Sequence, residues 1–363
     1  MTSQQKIAVT GANGFIGAHC VLALLEAGFG VVAVVRDPTN ESKTKFLIEE
    51  ADKIGKKDSL TFASGDLYKN GSYDDAFEGS YGVLHTAAVV ELGDVADAYA
   101  KVVKPAVDGT KNVIGSVKKN SSSIERFVNI SSCAAVSACD KESGYVFKED
   151  DWNTYSTVEN GDAYGYAKTQ AEKVVWDDTE LQSSTTVVSL NPTVVLGHAY
   201  TKSHATGSSA SMVTSVLQGG HTIAGVGLSF VNVKDVAKGA VLAFTQDKEL
   251  VGGKRFLLSC SKSIDGMDLN DIVKKSHPTA KGATPNVHPF VFKIMCFLGE
   301  HLPILRDQIH YKDIWKYTSR SREFDNTQSK TVLGIGEYIS LEDTCKETAD
   351  SILPFLKEED PSQ

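Results

Sequence analysis

The chain has 363 residues, 41% hydrophobic and 23% charged, which is the composition of a folded globular protein and excludes a disordered or fibrous one. Its 37 Lys and Arg against 46 Asp and Glu leave a net charge of −9 with no basic block, so it has no electrostatic reason to bind DNA, RNA or an anionic membrane. At this length one large domain is expected, or two that share a core.

The first run, "KIAVT" (6–10), enters a strand almost at once and leaves no room for the apolar stretch of a signal peptide, so a cytoplasmic protein is expected. The six cysteines (20, 133, 139, 260, 296 and 345) form no CxxC pair and have no histidine-rich companions. They read as free thiols of a reducing compartment, with no metal site.

Further β-branched runs follow at "VVAVV" (31–35), "LTFAS" (60–64), "GVLHT" (82–86), "RFVNI" (126–130) and "TTVVSL" (185–190). Between them lie segments with apolar residues three and four apart, such as "GFIGAHCVLALLEAG" and "DGTKNVIGSVKKN". Strict alternation of strand and helix implies right-handed crossovers and a doubly wound parallel α/β sheet, which takes its ligands at the carboxyl ends of the strands. After residue 190 the rhythm breaks into a Gly-, Ser-, Thr- and His-rich stretch that reads as a loop with one short helix. "FVNVKDVAKGAVLAF" (230–244) and the strand "KRFLLS" (254–259) resume the pattern, and the tail from about 265 is mostly helical. The apolar stretch 288–305 is broken by Lys293, Glu300 and His301, falls short of the ~20 apolar residues of a membrane span, and reads as a packed amphipathic helix. The expected division is a nucleotide-binding domain of residues 1–190 plus about 222–260, with a smaller lobe of 191–221 plus about 261–363 closing over it.

"TGANGFIG" joins the first strand to the first helix and carries Gly11, Gly14 and Gly17, with Asn13, Phe15 and Ile16 between them. Gly11 permits a tight turn, Gly14 lets backbone approach a pyrophosphate, and Gly17 lets helix and strand pack closely; the N–H groups of the helix start then face the phosphates. In this position the triplet indicates a dinucleotide site, although its GxxGxxG spacing differs from the usual GxGxxG. An NAD site wants a carboxylate after the second strand, whereas "VVAVVRDPTN" places Arg36 there, with Asp37 next and Lys43 in the following helix. A guanidinium matches the extra phosphate of NADP, which makes NADP(H) the expected cofactor; the alternative is a surface Arg36 with Asp37 on the ribose. Asp66, followed by Leu67, could meet the adenine or cap a helix.

"DAYGYAKTQAEKVVW" (162–176) holds two tyrosines, and only Tyr164 has a lysine, Lys168, on the same helical face; the fourth position after Tyr166 is Gln170. An ammonium beside a phenol favours phenolate and prepares it for proton transfer. "NISSC" puts Ser131 and Ser132 at the carboxyl end of the fifth strand, where a hydroxyl either reaches a bound carbonyl or caps the next turn. Glycine loop, strand-end serine and Tyr-xxx-Lys in that order are far more specific than any one alone.

With these motifs the chain resembles the extended short-chain dehydrogenase/reductases, and within them the dihydroflavonol 4-reductase-like group that includes cinnamoyl-CoA, methylglyoxal and ketone reductases. "VTGANGFIG", "VVRDPTN", "GVLHTAA", "VVKPAVDGTKNV", "YGYAKTQAEKVVW", "LNPTVVLG" and "FDNTQSKTVLGI" carry the likeness over nearly the whole length. The resemblance implies a Rossmann-type sheet with a helical substrate lobe, and hydride transfer between NADPH and a carbonyl carbon of a small-molecule substrate. It implies Tyr164 as proton donor, Ser132 on the carbonyl oxygen, and Lys168 beside the tyrosine and the nicotinamide ribose. It further implies cofactor contacts from Thr86, Ala87 and Ala88, and from Pro192, Thr193 and Val194.

Plant flavonoid reductases of the group carry asparagine five residues beyond the catalytic serine, where this chain has Ser137. A dihydroflavonol is therefore not expected. The candidate pocket of Val89, Val90, Ser137, Tyr166, His198 and the 199–220 loop suits a small neutral aldehyde or ketone, with His198 a possible second proton relay. The alternatives are a 3β-hydroxysteroid or sterol dehydrogenase and a non-catalytic NADP-sensing regulator. A monomer or homodimer is expected.

Overall fold

The computed structural model describes residues 4–88, 97–138, 141–142, 144–207, 209–222, 225–285, 290–291, 294 and 322–357. Seven strands form one parallel sheet: β1 (Lys6–Thr10), β2 (Gly30–Val35), β3 (Leu60–Ser64), β4 (Gly82–His85), β5 (Arg126–Ile130), β6 (Thr186–Pro192) and β7 (Lys254–Leu258). Their order is β7-β6-β5-β4-β1-β2-β3, so the chain reverses its direction of travel between β1 and β4, and a crevice opens there. The Rossmann-type fold expected from the alternating runs is present.

Helices α1 (Phe15–Glu26), α2 (Glu41–Lys53), α3 (Lys104–Lys119), α4 (Ala163–Asp177), α5 (Ala210–Gln218), α6 (Val233–Thr245), α7 (Gly266–Ser276) and α8 (Leu341–Lys357) flank or extend the sheet. Successive strand residues point to opposite faces, and each face has its own core. Ile7 and Val9 join the core with α1 and α6, while Ala8 joins Val113, Val117 and Val175 of α3 and α4. This two-sided burial is why the strands read as unbroken apolar runs.

Beyond the sheet, β6 runs on to Pro192, and Val194–Leu196 pairs in parallel with Phe230–Asn232. The stretch expected to hold one short helix contains two, Lys202–Ala205 and α5. Its small residues hid the second: Ala210, Val213, Val216 and Leu217 bury one face of α5 against Leu269 and Val273 of α7 and Cys345 and Ile352 of α8. Cys20, Cys133, Cys260 and Cys345 are free thiols. Among the described residues no helix is long and apolar enough to cross a membrane. Most of the 288–305 stretch lies outside the described residues.

Candidate active site

The β1–α1 turn is built by close approach. Gly11 adopts φ +65°, and a Cβ there would lie 2.9 Å from the Ala87 backbone. A Cβ on Gly17 would stand 2.2 Å from the Gly11 carbonyl oxygen, so the first turn of α1 sits directly on the loop. Gly14 begins α1 without any side-chain cap, which leaves the first-turn N–H groups at Phe15–Gly17 for a ligand. Across the crevice, the Thr10 hydroxyl accepts from the Thr86 and Ala87 N–H groups at 3.2 Å, while the Thr86 hydroxyl donates to the Thr10 carbonyl at 2.6 Å. These bonds tie the ends of β1 and β4 together and set the walls of a cleft of about 380 Å³. Gly11, Asn13, Gly14, Arg36, Asp66, Leu67 and Thr86–Ala88 line it.

At the outer end Arg36 lines this cleft and Asp37 does not. The Asp37 carboxylate instead accepts from the Thr39 N–H at 3.0 Å and the Thr39 hydroxyl at 2.7 Å, an Asx turn that pulls its pKa below the usual carboxylate value. Lys43 is exposed near Asp37 and is not among the lining residues. Asp66 lines the cleft, and its Oδ1 accepts from the Tyr68 N–H at 3.0 Å in a turn, so it does not cap a helix. Behind it, buried Asn112 donates to the carbonyls of Asp66 and Lys69 at 3.1 and 2.9 Å and accepts from the Gly71 N–H at 2.9 Å. One amide thus shapes this loop from α3, a role that no local pattern in the sequence announces. Tyr68, exposed on the cleft wall, was also not singled out in the sequence.

At the inner end, β5 finishes at Ile130 and the two serines part company. The Ser131 hydroxyl turns inward and donates to Glu172 at 2.6 Å. Ser132 lies beside Tyr164, and its oxygen also accepts from the Ala134 N–H at 3.1 Å, so it caps the following turn as well. Asp162 caps α4 by accepting from the Gly165 N–H at 2.9 Å, which fixes the turn that carries Tyr164. One turn on, the Lys168 Nζ stands 5.8 Å from the centre of the Tyr164 ring.

The electrostatics differ from the expectation of a depressed phenol. Burial pushes Tyr164 up to about 12, with the Ser132 side chain pulling the other way. Burial also pushes Lys168 down to about 8, against the attraction of Glu172. Loss of water outweighs the Ser132 hydrogen bond, so the phenol is protonated at neutral pH, the form a proton donor needs. Because Lys168 loses its proton as pH rises through about 8, kcat/KM is expected to fall on that alkaline limb; a profile flat well beyond it would contradict a role for the ammonium.

Of the residues assigned to the substrate side, Ser132 and Tyr164 stand together, while Ser137, Tyr166 and His198 have other partners. Ser137 is buried, and its hydroxyl donates to the Cys133 carbonyl at 3.1 Å. Tyr166 packs against Val102, Val103 and Ala167 on the α3 side. His198 faces a separate surface cleft with Lys234 and Glu347, and its carbonyl meets the His19 ring at 2.8 Å. Val89 and Val90 lie outside the described residues. Pro192 ends β6 opposite Leu258, buried Thr193 bonds the Leu258 carbonyl through both its N–H and its hydroxyl, and Val194 starts the crossing to the second small sheet. His204 reaches back to the Asn13 carbonyl at 3.1 Å and so ties the 197–206 stretch to the glycine loop.

A cleft at the β1/β4 switch point, with a serine, a tyrosine and a lysine close to one another, is the arrangement expected of a short-chain dehydrogenase/reductase of the extended type. The pattern of the NAD dependent epimerase/dehydratase family matches residues 7–258, and the chain belongs to this family of NAD(P)-dependent oxidoreductases. It is 33% identical over 241 residues to cinnamoyl-CoA reductase CAD2 of Medicago truncatula, covering 66% of this chain and 72% of the relative. It is 36% identical over 208 residues to dihydroflavonol 4-reductase of Arabidopsis thaliana, a match that spans 56% of this chain and 53% of the relative. Among solved structures, yeast methylglyoxal/isovaleraldehyde reductase Gre2 complexed with NADPH is similar, with a TM-score of 0.76 at 26% identity. That likeness covers 97% of this chain and 99% of Gre2.

Proposed function

We propose that the chain is an NADPH-dependent reductase of small neutral aldehydes or ketones, with Tyr164 as proton donor, Ser132 on the carbonyl oxygen and Lys168 on the nicotinamide ribose. The observation that carries this reading is the gathering of Ser132, a protonated Tyr164 and Lys168, with Lys168 in a small pocket that shares Leu67, Ala87 and Ala88 with the cleft. The cleft fits the cofactor by its own construction: an uncapped helix start behind a glycine turn for the pyrophosphate, and an arginine where a second phosphate would lie. With Asp37 engaged by Thr39, the carboxylate that would favour NAD is occupied.

When bound, NADPH supplies a hydride to the substrate's carbonyl carbon. Ser132 donates a hydrogen bond to the carbonyl oxygen and so supports the negative charge that develops there. The Tyr164 O–H gives its proton to that oxygen, completing the alcohol and leaving a phenolate that the Lys168 ammonium stabilises.

The substrate class is supported by the likeness to a structure named as a methylglyoxal/isovaleraldehyde reductase. The separate apolar core of α5, α7 and α8 supports reading residues 191–221 with about 261–363 as the substrate lobe. The free thiols fit a reducing compartment such as the cytoplasm, and that location is part of the proposal. A purely cofactor-sensing protein would have no use for the three chemical groups together. The test is to follow NADPH absorbance against aldehydes, ketones, acyl-CoA thioesters and sterols, repeated with NADH. Oxidation of NADPH by small neutral carbonyls is expected; turnover confined to sterols, or none, would reject this reading.

A further inference from the structure

Behind the chemical groups lies a charged centre whose two residues fall within the quoted runs but carry no role in the sequence analysis. Glu172 and Arg255 are sealed from solvent, with side-chain exposures of 0% and 8%. The Glu172 carboxylate accepts from Arg255 Nε at 2.7 Å and Nη2 at 3.2 Å, from Ser131 at 2.6 Å, from Asn191 at 2.7 Å and from the Trp176 indole at 3.1 Å. Arg255 spends its Nη1 on the carbonyls of Glu149 and Asp151, each at 2.7 Å, and its guanidinium stacks 3.9 Å from the Trp152 ring centre. Asn191 also donates to the Ser132 carbonyl at 3.2 Å.

Such a pair is a poor choice for stability alone, because removing two charges from water is expensive and apolar residues of the same volume do as well or better. What distinguishes this one is its attachments. It joins the end of β5, the end of β6, β7 and the third turn of α4, all elements that carry or adjoin Ser132, Tyr164 and Lys168. Glu172 is also one helical turn beyond Lys168, and the two line the same small pocket with His85 and Asn129.

We propose that Glu172, clamped by Arg255, is a positioning residue for the reduction, holding Ser132 and Lys168 in register with Tyr164. This rests on the reductase reading above and extends it to residues that touch neither substrate nor cofactor. Through Ser131 and Asn191 the carboxylate grips the backbone on either side of Ser132. Its charge also faces Lys168. The other titratable groups beside that amine are Tyr164 on the same helix and His85 on β4, and burial holds His85 neutral, down to about 3. Glu172 is therefore the charge that keeps the buried ammonium from deprotonating at still lower pH.

The test compares Glu172→Gln with the apolar pair Glu172→Met/Arg255→Met, which removes both charges together and leaves no unpaired buried charge. NADPH binding, read by fluorescence from neutral to alkaline pH, reports Lys168 without any carbonyl present. In both variants the alkaline loss of binding is expected to begin at lower pH than in the wild type, and kcat with isovaleraldehyde to drop ~100-fold, as small misplacements do. A purely structural pair would lower the melting temperature and leave the alkaline limb in place. A folded variant with the wild-type limb and a kcat within about threefold of wild type overturns the proposal. If the wild type reduces no aldehyde, the reductase reading fails separately, and the NADPH limb still decides the role of Glu172.

Discussion

Replacing Tyr164 with phenylalanine is expected to lower kcat by about 10²–10⁴-fold, the usual contribution of a positioned general acid. The substitution removes one oxygen and keeps the ring, so the packing at the start of α4 and its Asp162 cap are preserved. Lys168 and the glycine turn are untouched, and the NADPH dissociation constant is expected to stay within about twofold of wild type. Steady-state kinetics with a matched fluorescence titration separates these quantities. Full turnover in the variant would remove Tyr164 from the mechanism. A proportionate loss of NADPH binding would show that the phenol serves the cofactor and not the proton.

Replacing Arg36 with alanine is expected to raise KM for NADPH by about 10–100-fold, from the loss of charge-assisted hydrogen bonds worth ~1.5–3 kcal/mol. KM for NADH should change by less than about twofold, because only NADPH carries the phosphate that Arg36 would read. The variant is not expected to become an efficient NADH enzyme, since the Asp37 carboxylate remains tied to Thr39. Equal losses for the two cofactors would mean that Arg36 supports the cleft wall without discriminating between them.

The parts of the fold legible in the sequence are those whose physics is local. Parallel strands buried on both faces read as apolar runs, and β1 to β5 lie within a residue of where those runs stand. The glycine turn is also a local matter, because left-handed φ at Gly11 and the tight fit at Gly17 tolerate no side chain. Helical spacing alone pairs Lys168 with Tyr164 rather than with Tyr166.

What stayed hidden depends on distance or burial. The Glu172–Arg255 pair spans 83 residues of chain. Only two faint signs mark it: an acid four places after Lys168 on the same helix face, and a lone arginine opening the apolar strand "KRFLL". Its neighbourhood in the chain puts His198 on the substrate side, but the crossing at Thr193 and Val194 carries that stretch toward α8, where His198 and Glu347 line one surface cleft. Spacing conveys one cation near the phenol, whereas the dominant influence on its pKa is the loss of water on folding, which no spacing rule conveys.

The central claim is that this chain moves a hydride from NADPH to a carbonyl carbon while Tyr164 supplies the proton. The most direct measurement gives the wild-type protein NADPH deuterated at the transferred position, with isovaleraldehyde as acceptor, and locates the label in the product. Deuterium on the carbinol carbon of the resulting alcohol, formed by the wild type and nearly absent with Tyr164→Phe, is the predicted result. Consumption of NADPH without labelled alcohol, or equal labelling by the two proteins, would contradict it.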